Sequence, residues 1–288
     1  MTDQTTDTTP GPARPPRATR ISLMVSDVDG TLVTPDKLVA PATVEAVRRL
    51  HAAGVAFAAV SSRPPRGMKI LIEPLELEIF GGFNGSSIVH ADYSPVEQHF
   101  VPLEAAHLAV DTMRARGADI WVFADNEWYI ENPDSQYVPR EIRTVQFQPT
   151  LVTSFGDHIG RAGKIVGSSS DFDMLAACET ELQALLGDRA SARRSQHYYL
   201  DVTAPVVDKG YAVRAFAGYF GVPLNEVAVI GDMANDLPMF ANAGLAIAMG
   251  NATDAVKALA DHVTTTNAEN GIANAIDRFV LPLAAGRS

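Results

Sequence analysis

The sequence has only one cysteine, Cys178, among 288 residues. A single thiol cannot form an intrachain disulfide, and a cysteine-rich zinc site is excluded for the same reason. The histidines are scattered, with no pair at a spacing typical of metal ligands. No apolar run approaches the roughly 20 residues of a membrane span, and no apolar segment of a secretion signal is present. We therefore expect a cytoplasmic protein with no membrane partner.

Positive charge is also scarce. The chain has 23 lysines and arginines against 34 aspartates and glutamates, a formal net charge of −11 with a pI near 5.0. This balance disfavours a nucleic-acid backbone or an anionic membrane as the main partner. The apolar fraction of 47% and the charged fraction of 20% are ordinary for a globular protein. The length allows one large domain or two modest ones.

The first 20 residues lack apolar side chains of the kind that form a core. Residues 1–10 are rich in threonine and aspartate, and residues 11–20 are rich in proline and arginine. We predict a disordered tail over residues 1–20. Asp3 and Asp7 disfavour a transit peptide, which is typically poor in acidic residues.

Two carboxylates stand at the end of the first apolar run. Residues 21–25 are short and mostly apolar, which predicts a buried strand, and Asp27 and Asp29 follow with Gly30 directly after them. Unpaired charge inside a sheet is very costly. The two aspartates must therefore lie at a cleft or beside a cation, and Gly30 permits a backbone turn there.

The next two predicted strands also end in polar or small residues. A helix beginning near Pro41 and a strand over residues 55–60 complete a βαβ unit, which implies a parallel sheet. Ser61 and Ser62 follow the second strand, and Asn84 follows a third strand over residues 79–83. In an open parallel sheet these strand ends share the edge at which ligands bind.

The alternation of apolar strands and helices that is typical of a parallel sheet returns late in the chain, after a block with a different pattern of elements. Residues 87–203 combine helices with a predicted hairpin at 120–130 and suggest an inserted α+β domain. Residues 21–86 and 204–281 form the predicted core. There, Lys209 begins a helix, and Asp232 follows an apolar strand over residues 227–230. Asp236, one helical turn later, can face the same place as Asp232.

These strand-end residues predict phosphoryl chemistry. Several carboxylates at one edge repel one another unless a cation lies among them. Oxygen ligands without histidine or cysteine favour Mg²⁺ over zinc or iron. The ammonium of Lys209, the hydroxyl of Ser61 and the free loop N–H groups then complete a site for a phosphoryl group. A carboxylate can serve there as the nucleophile, through an aspartyl-phosphate.

Four segments resemble the motifs of haloacid dehalogenase-like phosphatases. They are Asp27-Val28-Asp29-Gly30-Thr31, Ser61, Lys209-Gly210 and Gly231-Asp232-Met233-Ala234-Asn235-Asp236. The inserted block is similar to the large cap domain of the Cof-type branch, and the resemblance covers residues 21–279. It implies an α/β fold, a doubly wound parallel sheet of Rossmann-like type with an inserted α+β cap.

The resemblance also implies roles for individual residues. Asp27 would be the nucleophile and a Mg²⁺ ligand, and Asp29 the general acid and base, with its carbonyl on Mg²⁺. Asp232 would bind Mg²⁺, and Asp236 and Asn235 would complete or orient the metal shell. The residues implied to lie at the phosphoryl group are Ser61, Ser62, Asn84, Lys209 and Asn235. The family commonly has Thr-Gly-Arg where this chain has Ser61-Ser62-Arg63, which keeps the hydroxyl but stiffens the loop.

The implied activity is Mg²⁺-dependent hydrolysis of phosphate monoesters of small metabolites, such as sugar phosphates. A phosphomutase and a non-catalytic sugar-phosphate binding protein are the alternatives. A binding protein would not need the nucleophile, which disfavours the second. The bulky aromatics Trp121, Phe123 and Trp128 are interpreted as packing of the cap sheet, in preference to stacking on substrate. The sequence leaves the substrate and the oligomeric state open.

Overall fold

A computed structural model describes residues 14–205 and 207–284 of the chain. Its strands, in chain order, are β1 (Leu23–Asp27), β2 (Ala56–Val60), β3 (Ile79–Gly82), β4 (Ser87–His90), β5 (Pro95–Gln98), β6 (Asp119–Ala124), β7 (Glu127–Ile130), β8 (Thr150–Leu151), β9 (Ala162–Ser168), β10 (Ser191–Gln196), β11 (Tyr199–Thr203), β12 (Val227–Gly231), β13 (Leu245–Ala248) and β14 (His262–Val263).

The α-helices of the described residues lie between strands or groups of strands, apart from the last one, which follows β14. They are α1 (Pro41–Ala52), α2 (Lys69–Ile72), α3 (Leu103–Ala115), α4 (Val138–Val145), α5 (Phe172–Leu186), α6 (Lys209–Phe220), α7 (Leu237–Ala241), α8 (Asp254–Lys257) and α9 (Gly271–Ala275). A single π-helical turn, Ile276–Val280, continues α9. Among the described residues, no helix has both the length and the apolar character required to cross a bilayer.

The core is an eight-stranded sheet in the order β14-β13-β12-β1-β2-β3-β4-β5. The six strands from β14 to β3 are parallel. Alternate residues of β1 enter different apolar clusters: Met24 packs on the side of α1 and α9, and Val25 on the side of α6 and α7. Both faces of the sheet are therefore covered, which confirms the predicted doubly wound α/β core.

The inserted region begins later than the sequence suggests. We predicted a boundary at residue 87, but the structure pairs β4 antiparallel with β3, and β5 with β4. Phe83, Asn84 and Gly85 all have positive φ, which turns the chain straight back along β3. The backbone groups at the edge of β3 are thereby hydrogen-bonded to β4. Residues 87–98 thus belong to the core sheet.

The cap is built on a six-stranded sheet in the order β10-β11-β9-β6-β7-β8. β6 and β7 form the predicted antiparallel hairpin, with Phe123 opposite Trp128. One face of the sheet is covered by α3 and α5. The other face carries Trp121, Phe123 and Trp128, which pack with α4 and with Phe83 of the core. These aromatics are buried, as the packing interpretation requires.

Residues 14–20, which we assigned to a tail, lie against the core in the structure. The guanidinium of Arg14 forms an ion pair with Asp261, and the amide of Ala18 donates to the carbonyl of Gly244 at 2.9 Å. Ala18 also packs on the apolar cluster beneath α1. The rest of the predicted tail, residues 1–13, lies outside the described residues.

Helix α6 offers a stability test of the core. Phe216 is fully buried between the helix and the sheet, whereas Gly218 is exposed with open space around its Cα. We expect Phe216→Ala to lower the free energy of unfolding by about 3–5 kcal/mol, because it leaves a cavity. Gly218→Ala should raise it by about 0.5–1 kcal/mol, through helix propensity alone. Urea denaturation measures both, and a stable Phe216→Ala protein would contradict this packing.

Candidate active site

Neighbouring strands of the core sheet bring the predicted residues to one edge. β12, β1 and β2 are adjacent and parallel, with Ser26 opposite Ile230 and Asp27 opposite Val60. Asp27 ends β1, Ser61 follows β2, and Asp232 follows β12. Parallel strands place these carboxyl ends together, so residues more than 200 positions apart become neighbours.

The centre of this edge is a buried cluster of three carboxylates and one ammonium. Asp27, Asp232 and Asp236 place carboxylate oxygens within 4.8 Å of one another. The Nζ of Lys209 donates to Oδ1 of Asp27 and to Oδ1 of Asp236, both at 2.6 Å. Lys209 is the first residue of α6, whose start is capped by Asp208: its carboxylate accepts from the amide of Tyr211 at 2.8 Å. This N-terminal capping of α6 by Asp208 fixes the position from which the Lys209 ammonium enters the site.

Asp236 connects the loop after β12 to Lys209 through hydrogen bonds at both of its carboxylate oxygens. Its Oδ2 accepts hydrogen bonds from the backbone amides of Asp232 at 2.8 Å and Met233 at 2.9 Å. Gly231 leaves room for it, since a Cβ there would lie 2.5 Å from Cγ of Asp236. Both oxygens of Asp236 are thus occupied by protein donors, which favours orienting the loop and Lys209 over direct metal ligation.

Asp232 is held by residues that follow other strands. The hydroxyl of Thr31 donates to its Oδ1 at 2.9 Å. The amide of Asn251 donates to its Oδ2 at 3.3 Å and to the carbonyl of Gly30 at 2.8 Å. Gly30 has φ of +87°, and a Cβ there would come within 2.4 Å of Oδ2 of Asp232. Only glycine fits at this point, for reasons of both conformation and space.

The charges of the cluster do not balance. Three carboxylates and one ammonium sum to −2 in a buried site. Burial raises the pKa of Asp27 well above its usual range, although Lys209 opposes the shift, and burial also raises that of Asp232. Asp27 and Asp236 raise the pKa of Lys209 by more than its burial lowers it. A divalent cation would complete the balance, and an all-oxygen set fits a hard ion such as Mg²⁺.

Asp29 lies beside this cluster in a different environment. Its carboxylate accepts from Arg63 twice, at 2.6 Å and 2.7 Å, and from Nζ of Lys37 at 2.6 Å. Burial raises the pKa of Asp29, but the hydrogen bonds and charges of Arg63 and Lys37 outweigh it and lower the value to about 2. The side chain keeps 26% of its surface exposed. Asp29 is therefore an ionised carboxylate facing the cleft.

The remaining predicted residues meet around the loop after β2. The Oγ of Ser61 accepts from the amide of Arg63 at 3.1 Å, and its carbonyl accepts from the amide of Asn84 at 2.7 Å. Asn84, with φ of +58°, accepts at Oδ1 from the side chain of Asn235 at 3.5 Å. Ser62 contributes its carbonyl, which accepts from Lys164 of the cap at 3.3 Å.

Several residues that contact the site were not assigned to it from the sequence, among them Arg63, Lys37 and Asn251. Asn251 follows strand β13, and the rule that polar residues end strands at the active edge would have found it. Arg63 is adjacent to Ser61, but nothing local shows that it pairs with Asp29. Lys37 lies in a turn with positive φ, and its pairing with Asp29 depends on the course of the loop after β1.

Comparison with known proteins assigns the chain to a class. Residues 24–276 match the family of haloacid dehalogenase-like hydrolases. The chain belongs to that family. Within it, the chain is a phosphatase of the Cof-type branch, a phosphoric monoester hydrolase.

Individual relatives span nearly the whole chain. A Haemophilus influenzae protein whose name gives only the activity class, phosphatase, is 31% identical over 262 residues, covering 86% of this chain and 94% of its own. The Bacillus subtilis 5-amino-6-(5-phospho-D-ribitylamino)uracil phosphatase YcsE is 27% identical, with 91% and 96% coverage. The crystal structure of a haloacid dehalogenase-like hydrolase from Bacteroides thetaiotaomicron superposes with a TM-score of 0.84 at 28% identity, covering 90% and 99%.

A comparison of alanine variants at two glycines distinguishes the effect of backbone strain from the effect of displacing Asp232. Gly30 and Gly54 both have positive φ, but only Gly30 faces Asp232, and Gly54 has no atom within 4 Å of its added Cβ. Either glycine-to-alanine change should cost about 1–2 kcal/mol of stability from the left-handed backbone. Gly30→Ala should also lower phosphatase activity by about 100-fold or more, since Asp232 must move. Equal activity of the two variants in a steady-state assay would refute this placement of Asp232.

Proposed function

We propose that this chain hydrolyses phosphate monoesters of small metabolites, with Mg²⁺, through an aspartyl-phosphate formed on Asp27. The observation that carries the proposal is the buried contact of Asp27 with Lys209, 2.6 Å long, at the edge where the parallel strands end. A carboxylate with a purely structural role would not require an excess of negative charge around it. A nucleophile in a site for a divalent cation and a phosphoryl group does, because the bound cation would neutralise that excess.

The site contains oxygen ligands suited to a divalent cation. Mg²⁺, when bound, would be held by Asp27, Asp232 and the backbone carbonyl of Asp29, and it supplies positive charge against the phosphoryl oxygens. Lys209, the hydroxyl of Ser61 and the amides of its loop hold those same oxygens. Asn84 and Asn235 border the phosphoryl position through their mutual contact.

The chemistry then runs in two steps on this chain's own side chains. In the first, a carboxylate oxygen of Asp27 attacks phosphorus, the bond to the leaving oxygen breaks, and that oxygen takes a proton from Asp29. In the second, water attacks the aspartyl-phosphate and gives its proton to Asp29. Inorganic phosphate leaves, and the Asp27 carboxylate is restored.

Asp29 is arranged for the second of these steps. Held between Arg63 and Lys37, it is ionised and able to accept the proton of water. For the first step it must turn away from these two cations towards the leaving oxygen, because a carboxyl group between them does not keep a proton. We therefore infer that substrate binding separates Asp29 from at least one of them.

Contacts between cap and core close the site. Arg66 of the core pairs with Glu127 of the cap at 2.5 Å, and its guanidinium lies over the ring of Phe147. Together with the contact of Lys164 with Ser62, these interactions hold the cap over the phosphoryl position. Closure would exclude water from the first step and favour a small leaving group. The substrate in the name of the B. subtilis relative, a phosphorylated ribityl compound, is a small metabolite of this kind.

The nucleophile is tested by removing one carboxylate oxygen. We expect Asp27→Asn to lower the release of inorganic phosphate from p-nitrophenyl phosphate by at least about 1,000-fold, because an amide cannot attack phosphorus. The matched control is Asp173→Asn, an exposed aspartate on cap helix α5, which should retain full activity. Unchanged circular dichroism would show that both variants fold. Phosphate release by Asp27→Asn at the wild-type rate would disprove the assignment.

The metal is tested by two independent measurements. EDTA should abolish phosphatase activity and excess Mg²⁺ should restore it. Mg²⁺ should also raise the melting temperature of the native chain, because a ligand that binds only the folded state stabilises it. Asp232→Asn should remove most of this thermal shift. Activity indifferent to chelation, or an equal shift in the variant, would contradict a metal at this site.

A further inference from the structure

The first connection from the core to the cap is anchored at both of its ends. The amide of His99 donates to the carbonyl of Ser86 in the core at 2.7 Å. The amide of Val101 donates to the carbonyl of Ala162, in cap strand β9, at 2.8 Å, and Val101 is buried in the apolar cluster of the cap. Only Phe100 separates the two anchored residues. A rotation of the cap about this connection must therefore be absorbed at Phe100 and the bonds next to it.

Three side chains contact one another at the core end of this connection. The hydroxyl of Tyr211, in α6, donates to Oε1 of Glu97, in β5. The Nε2 of His99 lies 2.9 Å from the same carboxylate oxygen and 3.0 Å from the Tyr211 hydroxyl. The rings of His99 and Tyr211 meet edge to face, with centres 5.1 Å apart. Because a carboxylate only accepts, the imidazole carries a proton on Nε2. We call Glu97, His99 and Tyr211 the hinge triad.

The hinge triad contains a charge-assisted hydrogen bond at the protein surface. The hydrogen bond from Tyr211 lowers the pKa of Glu97 by more than burial raises it. Burial and the Glu97 carboxylate raise the pKa of Tyr211 to about 12. Near neutral pH a neutral hydroxyl therefore donates to an ionised carboxylate, which is a strong type of hydrogen bond. The side chains of His99 and Glu97 remain 33% and 39% exposed. This exposure favours a local role over a large contribution to global stability.

Tyr211 connects the hinge triad to the helix that carries Lys209. It lies two residues after Lys209, and its backbone amide donates to the capping carboxylate of Asp208. Gly85 packs against the same helix start, since a Cβ there would lie 3.0 Å from the carbonyl of Asp208. The chain comes back from the cap to the core just before Asp208. The hinge triad thus links the outgoing connection to the element at which the chain returns.

A cavity lies beside the same connection. Core, connection and cap all contribute to its lining, through Ser86, His99, Phe100, Asn126 and Arg161 among others. Protein interiors are close-packed, so a gap of this kind at the junction of two domains leaves room for side chains to shift. Phe100, which is 39% exposed, borders it. Rotation about Phe100 therefore meets less steric resistance than movement of the residues held by the hinge triad.

We propose that the hinge triad is a set of positioning residues for phosphoryl transfer, which confines bending to Phe100 so that the cap closes in one orientation over Asp27. Without the triad, the connection could bend from β5 onwards. A longer flexible segment lowers the effective concentration of the cap at the core. The closed cap would then be a smaller fraction of the population, and the apparent affinity for substrate would fall by the same fraction. The inference rests on the proposed phosphatase function and concerns the control of its cap.

Two tyrosines of α6 provide a matched pair of variants for the test. Tyr211→Phe removes the hydroxyl of the hinge triad, whereas Tyr219→Phe removes a hydroxyl from an exposed side chain on the same helix. We expect Tyr211→Phe in the full-length protein to accelerate hydrogen–deuterium exchange at the amides of His99 and Val101 about 10-fold or more. Exchange in the central strand β12 should stay unchanged. Tyr219→Phe should alter neither region.

Steady-state kinetics on p-nitrophenyl phosphate measure the consequence for catalysis. Tyr211→Phe should lower kcat/KM about 3–10-fold, mainly by raising KM, because the residues at the strand edge stay in place. Glu97→Ala should have the same effect, and the double variant should be no worse than either single one, since both changes act through one triad. Glu97→Gln keeps an acceptor oxygen for Tyr211 and should recover most of the loss.

The outcomes separate this inference from the proposed function. A wild-type protein that releases no phosphate would overturn the phosphatase function itself, whereas the variants test the hinge triad alone. Exchange that rises equally throughout the core in Tyr211→Phe would overturn the inference, since the triad would then only stabilise the fold. Faster exchange at the connection with an unchanged KM would also overturn it, because bending there would not control the cap.

Discussion

The ammonium of Lys209 between Asp27 and Asp236 is the interaction on which the rest of this site depends. Three carboxylates cannot share a buried strand edge without a cation, because burial and mutual repulsion both oppose their ionised forms. Lys209 supplies one fixed positive charge and leaves a deficit that suits a divalent ion. The glycines Gly30 and Gly231 then make the approach possible, since any side chain there would occupy the space of the carboxylates.

The cap adds a second constraint, because it interrupts the core in sequence without interrupting it in space. β4 and β5 remain in the core sheet, and the chain leaves for the cap only after Gln98. It returns to the core before Lys209, the first residue of α6. The cap sheet faces the loop after β2, so the contact of Lys164 with the carbonyl of Ser62 couples the position of the cap to the loop that we propose holds the phosphoryl oxygens.

The buried polar groups of the core and of the cap differ in what they lack. The core cluster has most of its oxygens satisfied by Thr31, Asn251, Lys209 and backbone amides, and its deficit is one of charge. The cap pair of Lys164 and Asp201 balances in charge, and one carboxylate oxygen of Asp201 has no hydrogen-bond partner. A deficit of positive charge suits a bound cation.

The sequence by itself determined the parallel core, the inserted domain and the carboxylates at the strand ends. These features follow from local hydrophobic periodicity and from the rule that buried strands cannot hold unpaired charge. Both can be applied to the sequence without knowledge of the fold. The tertiary structure alone decided which cation meets which carboxylate. Arg63 and Lys37 meet at Asp29, and Lys164 meets Asp201, through loop paths and sheet register. Such pairings join residues whose separation in sequence carries no signal, because the side chains are brought together only by packing.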